Sequence, residues 1–248
     1  TGDRFKKKEV TLLSNALINT VAPLESFSIT VVNTMELADA IYILSTKKGL
    51  KSFAVKYPTN YFSEKEISQI DVMKKIYYSI RDSRTLENVS ISHFGNQVVD
   101  AKSYRTEPVD VSELFEEIAA NLKLNTNLQS LTVEKWQYGN DLLTNTLSIP
   151  SLKNLTFKEC PDDITLDFLP VTKYLESIDG RFHFTTALAA TISKFLADPA
   201  RKINKLKIAG SNFDEGALYT ITKGMLCNKS LTSLNINSIK FKESDGNF

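Results

Sequence analysis

Histidine and cysteine are nearly absent from this sequence. His93, His183, Cys160 and Cys227 are the only ones among 248 residues. These four lack metal-ligand spacing, so no zinc site is expected. No G-x-S-x-G elbow, P-loop, G-x-G-x-x-G or H-E-x-x-H occurs either, and the sequence therefore predicts neither an enzyme nor a cofactor. Two cysteines make no disulfide framework, which points to a reducing, intracellular setting, cytoplasmic or nuclear. An excess of one charge is also missing: 30 Lys and Arg stand against 29 Asp and Glu, for a net charge of +1. A protein that holds nucleic acid by neutralising phosphates carries a clear basic surplus, so no nucleic-acid partner is expected. No run approaches the roughly 18 apolar residues of a membrane span. The chain opens on Thr1-Gly2 with no apolar signal core, which reads as a boundary within a larger protein. The Asn-x-Ser/Thr matches at Asn88, Asn154 and Asn228 read as chance in a chain rich in these residues.

What the sequence does have is repetition. A six-residue pattern, Leu-x-x-φ-x-φ with φ apolar, recurs eight times. It reads LESFSI from Leu24, LKSFAV from Leu50, LENVSI from Leu86 and LQSLTV from Leu128. It continues as LKNLTF from Leu152, LESIDG from Leu175, INKLKI from Ile203 and LTSLNI from Leu231. Every first, fourth and sixth position is apolar except Gly180, and every third and fifth is polar except Ala54. Such alternation is the period of a strand with one face buried and one wet. The outward positions were no part of the pattern's definition, so their polarity is independent support for it.

Between these strands the apolar spacing changes to three and four, the period of a helix. Helices are expected at 35–45, 63–84, 111–124, 185–197 and 214–227, with a further one at about 5–22 whose periodic part is 10–21. Ser63 with Glu66 reads as a capping box, and Asp214 as the cap of the helix that holds Leu218, Ile221 and Met225. Successive strands start 26, 36, 42, 24, 23, 28 and 28 residues apart. The interval of 36 is explained by a longer helix through Ile67, Ile70, Met73, Ile76 and Tyr77. The interval of 42 contains a polar inserted loop at about 95–110, read as disorder or a surface excursion and not as a dedicated binding loop.

A strand and a helix alternating at this period resemble the leucine-rich-repeat proteins, of the ribonuclease-inhibitor-like type. The run from Leu152 to Cys160, LKNLTFKEC, matches that family's L-x-x-L-x-L-x-x-[NC]. The other ninth positions, Val32, Pro58, Phe94, Trp136, His183, Ser211 and Ile239, depart from it. The resemblance implies an α/β solenoid, one horseshoe-shaped domain over 1–248 of about eight irregular repeats. Its parallel sheet would line the concave face and its helices the convex face. It also implies that ninth positions turn inward, so that His183 is a satisfied buried or half-buried histidine and Cys160 and Trp136 belong to the core. Cys227, following Met225 and Leu226 on a helix, reads as a core residue as well.

Other polar groupings have structural explanations. Glu116-Glu117 and Asp162-Asp163 lie near expected helix starts, where acidic residues complement the macrodipole, and the basic run 4–8 reads as solvated. The surface left for binding is the outward face of the strands, mostly Ser, Thr and Asn. Lys158, Arg181, Lys205 and Lys207 fall on neighbouring strands about 4.8 Å apart and form a candidate basic patch, partly offset by Asp179. Glu134 lies on the same face, and Tyr138 is a candidate rim residue. The expected function is a protein-interaction module in a larger protein, binding a protein partner with an acidic surface. The alternatives are a regulator of another enzyme (an inhibitor or small-GTPase activator) and a substrate receptor or effector. The array has no evident polar cap, since Ile236, Ile239 and Phe241 follow close on one another at its end.

Overall fold

The computed structural model of the chain describes residues 7–30, 35–56, 67–92, 124–134, 149–158 and 174–241. It divides into two compact units, Thr1–Leu128 and Gln129–Phe248.

In the first unit, α1 (Lys7–Asn19), β1 (Ser26–Thr30), α2 (Met35–Lys47), β2 (Ser52–Lys56), α3 (Ile67–Asp82) and β3 (Asn88–Ser92) alternate along the chain. The three strands pair in parallel and in chain order, with Phe53 in register with Phe27 and Val89. In the second unit, β4 (Ser130–Glu134), β5 (Asn154–Lys158), β6 (Ser177–Asp179), β8 (Lys205–Lys207) and β10 (Ser233–Asn235) form the main sheet, again parallel. The short strands β7 (His183–Phe184), β9 (Asn212–Phe213) and β11 (Lys240–Phe241) form a second sheet, and α4 (Thr186–Ala197) and α5 (Ala217–Cys227) complete the unit. Parallel strands in chain order, with helices between them, are the α/β architecture of the leucine-rich-repeat kind. No helix among the described residues is long and apolar enough to cross a membrane.

The periodicity of the sequence is the periodicity of burial. In six of the eight rungs, those starting at Leu50, Leu86, Leu128, Leu152, Leu175 and Ile203, every first, fourth and sixth position is buried. Every described third and fifth position is half-buried or exposed. Fully burying one such aliphatic side chain contributes about 1.5–3 kcal/mol, so the inward face supplies most of what holds the rungs together. The backbone adds a repeated connection. The second-position carbonyls of Glu25, Lys51, Gln129, Lys153, Glu176 and Asn204 each accept two N–H groups from the next rung, as Lys153 does from Glu176 and Ser177 at 2.7 and 2.9 Å.

The exceptional Gly180 has a packing reason. A Cβ there would lie 2.6 Å from the ring of Phe182 and 3.1 Å from Cβ of Phe157. The Phe182 ring occupies the space that a sixth-position side chain fills elsewhere. It belongs to a series of aromatic contacts, Phe157–Phe182–Phe184–Phe213–Phe241, with centroids 5.7, 5.6, 4.7 and 6.2 Å apart.

Helix positions follow the expectation with local differences. The first helix runs Lys7–Asn19, and the third occupies Ile67–Asp82; its proposed capping box at Ser63 and Glu66 lies outside the described residues. So does the helix expected at 111–124, apart from Leu124. Thr185 caps α4 by accepting the Leu188 N–H at 3.2 Å. Asp214, however, does not cap α5. That helix begins at Ala217 behind Gly216, whose φ of 75° is a left-handed conformation that suits glycine. The Asp214 carbonyl takes the Ala217 N–H, while its carboxylate lies 2.8 Å from His183 Nε2. Cys227 is also corrected: it is exposed at the end of α5, not in the core.

Candidate interaction surface

The strands of the second unit bring the expected surface residues together in three rows. Register aligns Ser130, Asn154, Ser177, Lys205 and Ser233 in the first row. Thr132, Thr156, Asp179, Lys207 and Asn235 form the second. Glu134 and Lys158 are partners in the third. Arg181 follows two residues after Asp179, and its side chain lies over Gly210, where a Cβ would sit 3.8 Å from the arginine Cδ.

The four basic candidates divide by electrostatics. Lys207 Nζ is 2.9 Å from Asp179 Oδ2, its neighbour across the register, so this charge is spent within the protein. Lys158, Arg181 and Lys205 are exposed. Lys158 has Glu134, half-buried, beside it. Arg181 and Lys205 form no ion pair among the described residues. Adjacent strands lie about 4.8 Å apart, so the exposed cations are near enough to act on one partner surface. Tyr138 and Trp136 lie outside the described residues, as do Cys160, His93 and the inserted stretch at 95–110.

His183 is the satisfied, half-buried histidine the sequence suggests. Its partner is Asp214, and strands β7 and β9 fix the two by pairing His183 with Asn212. Ser211, at the same ninth position one repeat later, is fully buried and accepts the Phe182 N–H at 3.0 Å.

Sequence reasoning missed two features. The first is a polar clamp between repeats, placed three residues before the first Leu of a rung. Asn125 donates to the carbonyls of Ile80 (2.6 Å) and Ser83 (3.3 Å) and accepts from the N–H groups of Asn127 and Leu128. Asn228 donates to Leu196 O and accepts from Ser230 and Leu231 in the same way. Ser83 does the same with one hydroxyl, donating to Ser45 O and accepting from Thr85 and Leu86. Each clamp ties a chain turn to the last turn of a helix earlier in the chain, Ser83 to α2, Asn125 to α3 and Asn228 to α4. The available signal was Asn or Ser in the motif [NS]-x-x-Leu just before a strand.

The second feature is a cluster on the helices of the first unit. Asp82 accepts from Arg81 Nε (2.6 Å) and Nη2 (3.0 Å) and from Tyr42 Oη (3.0 Å). Arg81 lies 4.4 Å from the ring centroid of Tyr78, and Lys75 4.6 Å from that of Tyr42 while also paired with Asp39. The Arg81 hydrogen bonds hold the Asp82 carboxyl below the usual aspartate range, against burial, with help from Tyr42. The same carboxylate raises the Tyr42 phenol above its ordinary value, chiefly through their hydrogen bond. The i, i+3 and i, i+4 spacing of Lys75, Tyr78 and Asp82 is also that of an ordinary helix face, and Tyr42 comes from a different helix, so the sequence did not distinguish the cluster.

No family model matches the chain, and no curated protein does. Among solved structures it is similar to the tropomodulin C-terminal domain of Caenorhabditis elegans. The identity is 10%, with 88% of this chain and 92% of that one covered and a TM-score of 0.37.

Proposed function

We propose that the chain is a non-catalytic protein-interaction module, a ribonuclease-inhibitor-like member of the leucine-rich-repeat class, whose second unit binds an acidic protein surface through the open face of its main sheet. The observation that carries this reading is the charge distribution on that face. Lys158 and Lys205 are exposed on β5 and β8, and Arg181 is exposed two residues beyond β6, among small hydroxyl and amide side chains. The only aspartate in the middle row is already paired with Lys207. Three exposed cations in and beside the parallel sheet steer an acidic partner and favour its docking, without any group suited to chemical attack among the described residues. As part of a larger intracellular protein, the module would supply recognition to whatever its neighbours do.

The test is affinity capture from cell extract with the chain and with an Arg181→Glu/Lys205→Glu variant, quantified by mass spectrometry at low and moderate salt. The expected result is a partner depleted at least about tenfold by the variant and by added salt. Equal recovery of every partner by both proteins would remove the open face as the binding surface. Lys207 is left unchanged because altering it also strands Asp179.

A further inference from the structure

Strand register fixes the separation of the two unpaired cations on the open face. Lys205 stands opposite Ser177, and Arg181 follows Ser177 by four residues, along β6 and past its end. Both are exposed, and both lie inside the continuously described run 174–241. At about 3.3 Å per residue their Cα atoms are at most about 13 Å apart along the strand direction, and about one strand spacing of 4.8 Å apart across it. The stem of Arg181 passes over Gly210, which keeps it on the β8 side.

Between these two charges the face is neutral. Asp179 and Lys207 cancel each other at 2.9 Å, and Thr156 and Asn235 flank them in the same register row. The other described acids of the unit lie elsewhere. Glu134 faces Lys158 in register, and Glu176 precedes β6 and accepts a 3.5 Å hydrogen bond from Asn204. Asp198 follows α4, and Asp214 and Glu215 precede α5. Along the strands the face therefore runs positive, neutral, positive.

The backbone limits what can lie on it. β6 is paired with β5 on one side and β8 on the other, and β8 with β6 and β10. No ladder edge is open there. An extended segment laid on this face would bury its own N–H and C=O groups against side chains, without the partners that a strand requires. A helix bonds those groups within itself. Residues that share a helix face recur at four, seven and eleven positions, about 6, 10.5 and 16.5 Å along the axis. Seven positions match the interval between Lys205 and Arg181, whose long side chains close the remaining gap.

We propose that the open face of the second unit takes a partner helix laid along its strands. Two acidic residues seven positions apart meet Arg181 and Lys205, and uncharged residues between them cover the Asp179–Lys207 pair. This rests on the reading of that face as the binding surface and adds the partner's secondary structure and charge spacing.

The probes are capped, alanine-rich fluorescent peptides of about 20 residues with two glutamates four, seven or eleven positions apart. Anisotropy at low salt measures each against the full chain. The seven-spaced peptide should bind at least about threefold more tightly than the other two. Arg181→Glu and Lys205→Glu, each alone, should weaken it and abolish its advantage, since one remaining cation cannot sense a spacing. A seven-spaced peptide with two prolines between the glutamates cannot form the helix and should lose the advantage as well. Circular dichroism of the variants checks that the fold is kept. Equal affinities of the three peptides for the parent chain, a preference that survives both single variants, or undiminished binding of the proline peptide overturns this proposal. If binding is nevertheless lost in Arg181→Glu/Lys205→Glu, the open face stands as the binding surface and only the helix and its spacing are wrong. If that double variant binds every peptide as the parent does, the open face itself is refuted.

Discussion

Replacing Asn125 with alanine should destabilise the first unit by about 2–4 kcal/mol, although the residue is polar and lies outside every strand and described helix. The side chain is 1% exposed, and its carboxamide makes four hydrogen bonds to backbone groups. Truncation leaves the buried Leu128 N–H and the carbonyl of Ile80 without these partners. An orphaned buried group costs about 1–3 kcal/mol. The Asn127 N–H is only half-buried, and water can replace its partner at smaller cost. Urea unfolding followed by circular dichroism gives the total, and hydrogen exchange at the Leu128 amide gives the local effect. Asn125→Asp refines the test. At neutral pH its carboxylate faces the Ile80 and Ser83 carbonyls and should be at least as damaging as alanine. Acidification should recover part of the loss, because a protonated carboxyl can donate to Ile80. If Asn125→Ala shifts stability by less than about 0.5 kcal/mol, or the Leu128 amide keeps its protection, the clamp is not a stabilising element.

Gly224→Ala should destabilise the packing of α4 on α5 by about 1–3 kcal/mol in thermal or urea unfolding. A Cβ there would lie 2.6 Å from Ser193 Cα and overlap its carbonyl, which outweighs the roughly 1 kcal/mol of helix propensity gained. Gly180→Ala should cost a similar amount through the Phe182 ring, and a Phe182→Leu background should relieve much of it. The Tyr42–Asp82–Arg81 cluster predicts two pH limbs. The lowered Asp82 value means its contribution is present above the ordinary aspartate range and is lost as pH falls through the folded value. The raised Tyr42 value means its contribution is present below pH ~10 and is lost as pH rises. Each limb is worth about 1 kcal/mol or less at these partly exposed positions. Unfolding against pH should lose the acid limb in Asp82→Asn and the alkaline limb in Tyr42→Phe.

The strands could be read because their signal is local and repeated: inward Leu, Ile, Val and Phe alternate with outward residues that are mostly Ser, Thr and Asn. Gly180 broke the pattern because the side chain that fills its place, Phe182, comes from two residues further along, which no period-two reading anticipates. The clamps were missed for a related reason. Ser83, Asn125 and Asn228 share a position, yet Lys47, Ile149 and Ala200 occupy it in other rungs, so the motif does not recur often enough to stand out. Asp214 had the residue type and placement of a helix cap, and a histidine 31 residues away in sequence determined its role instead. The sequence expectation put the basic candidates on neighbouring strands; Lys158 and Lys205 lie on β5 and β8 while Arg181 lies beyond the end of β6, and only the structure separates Lys207, already paired, from the exposed Lys205 on the same strand.

The arrangement also explains why the open face can be tested by mutation without disturbing the fold. The rungs are joined by inward apolar side chains, by second-position carbonyls and, at the helix ends, by Ser and Asn clamps. None of these uses the side chains of Arg181 or Lys205. Arg181→Glu/Lys205→Glu should therefore leave stability within about 0.5 kcal/mol of the parent, as surface substitutions away from structural features do. Lys207→Glu should cost more, because it breaks a pair with Asp179 and leaves two carboxylates facing each other across adjacent strands. Comparable destabilisation by all three substitutions would mean that the outward face is part of what holds the sheet together, and a loss of binding in the variants would then no longer identify a binding surface.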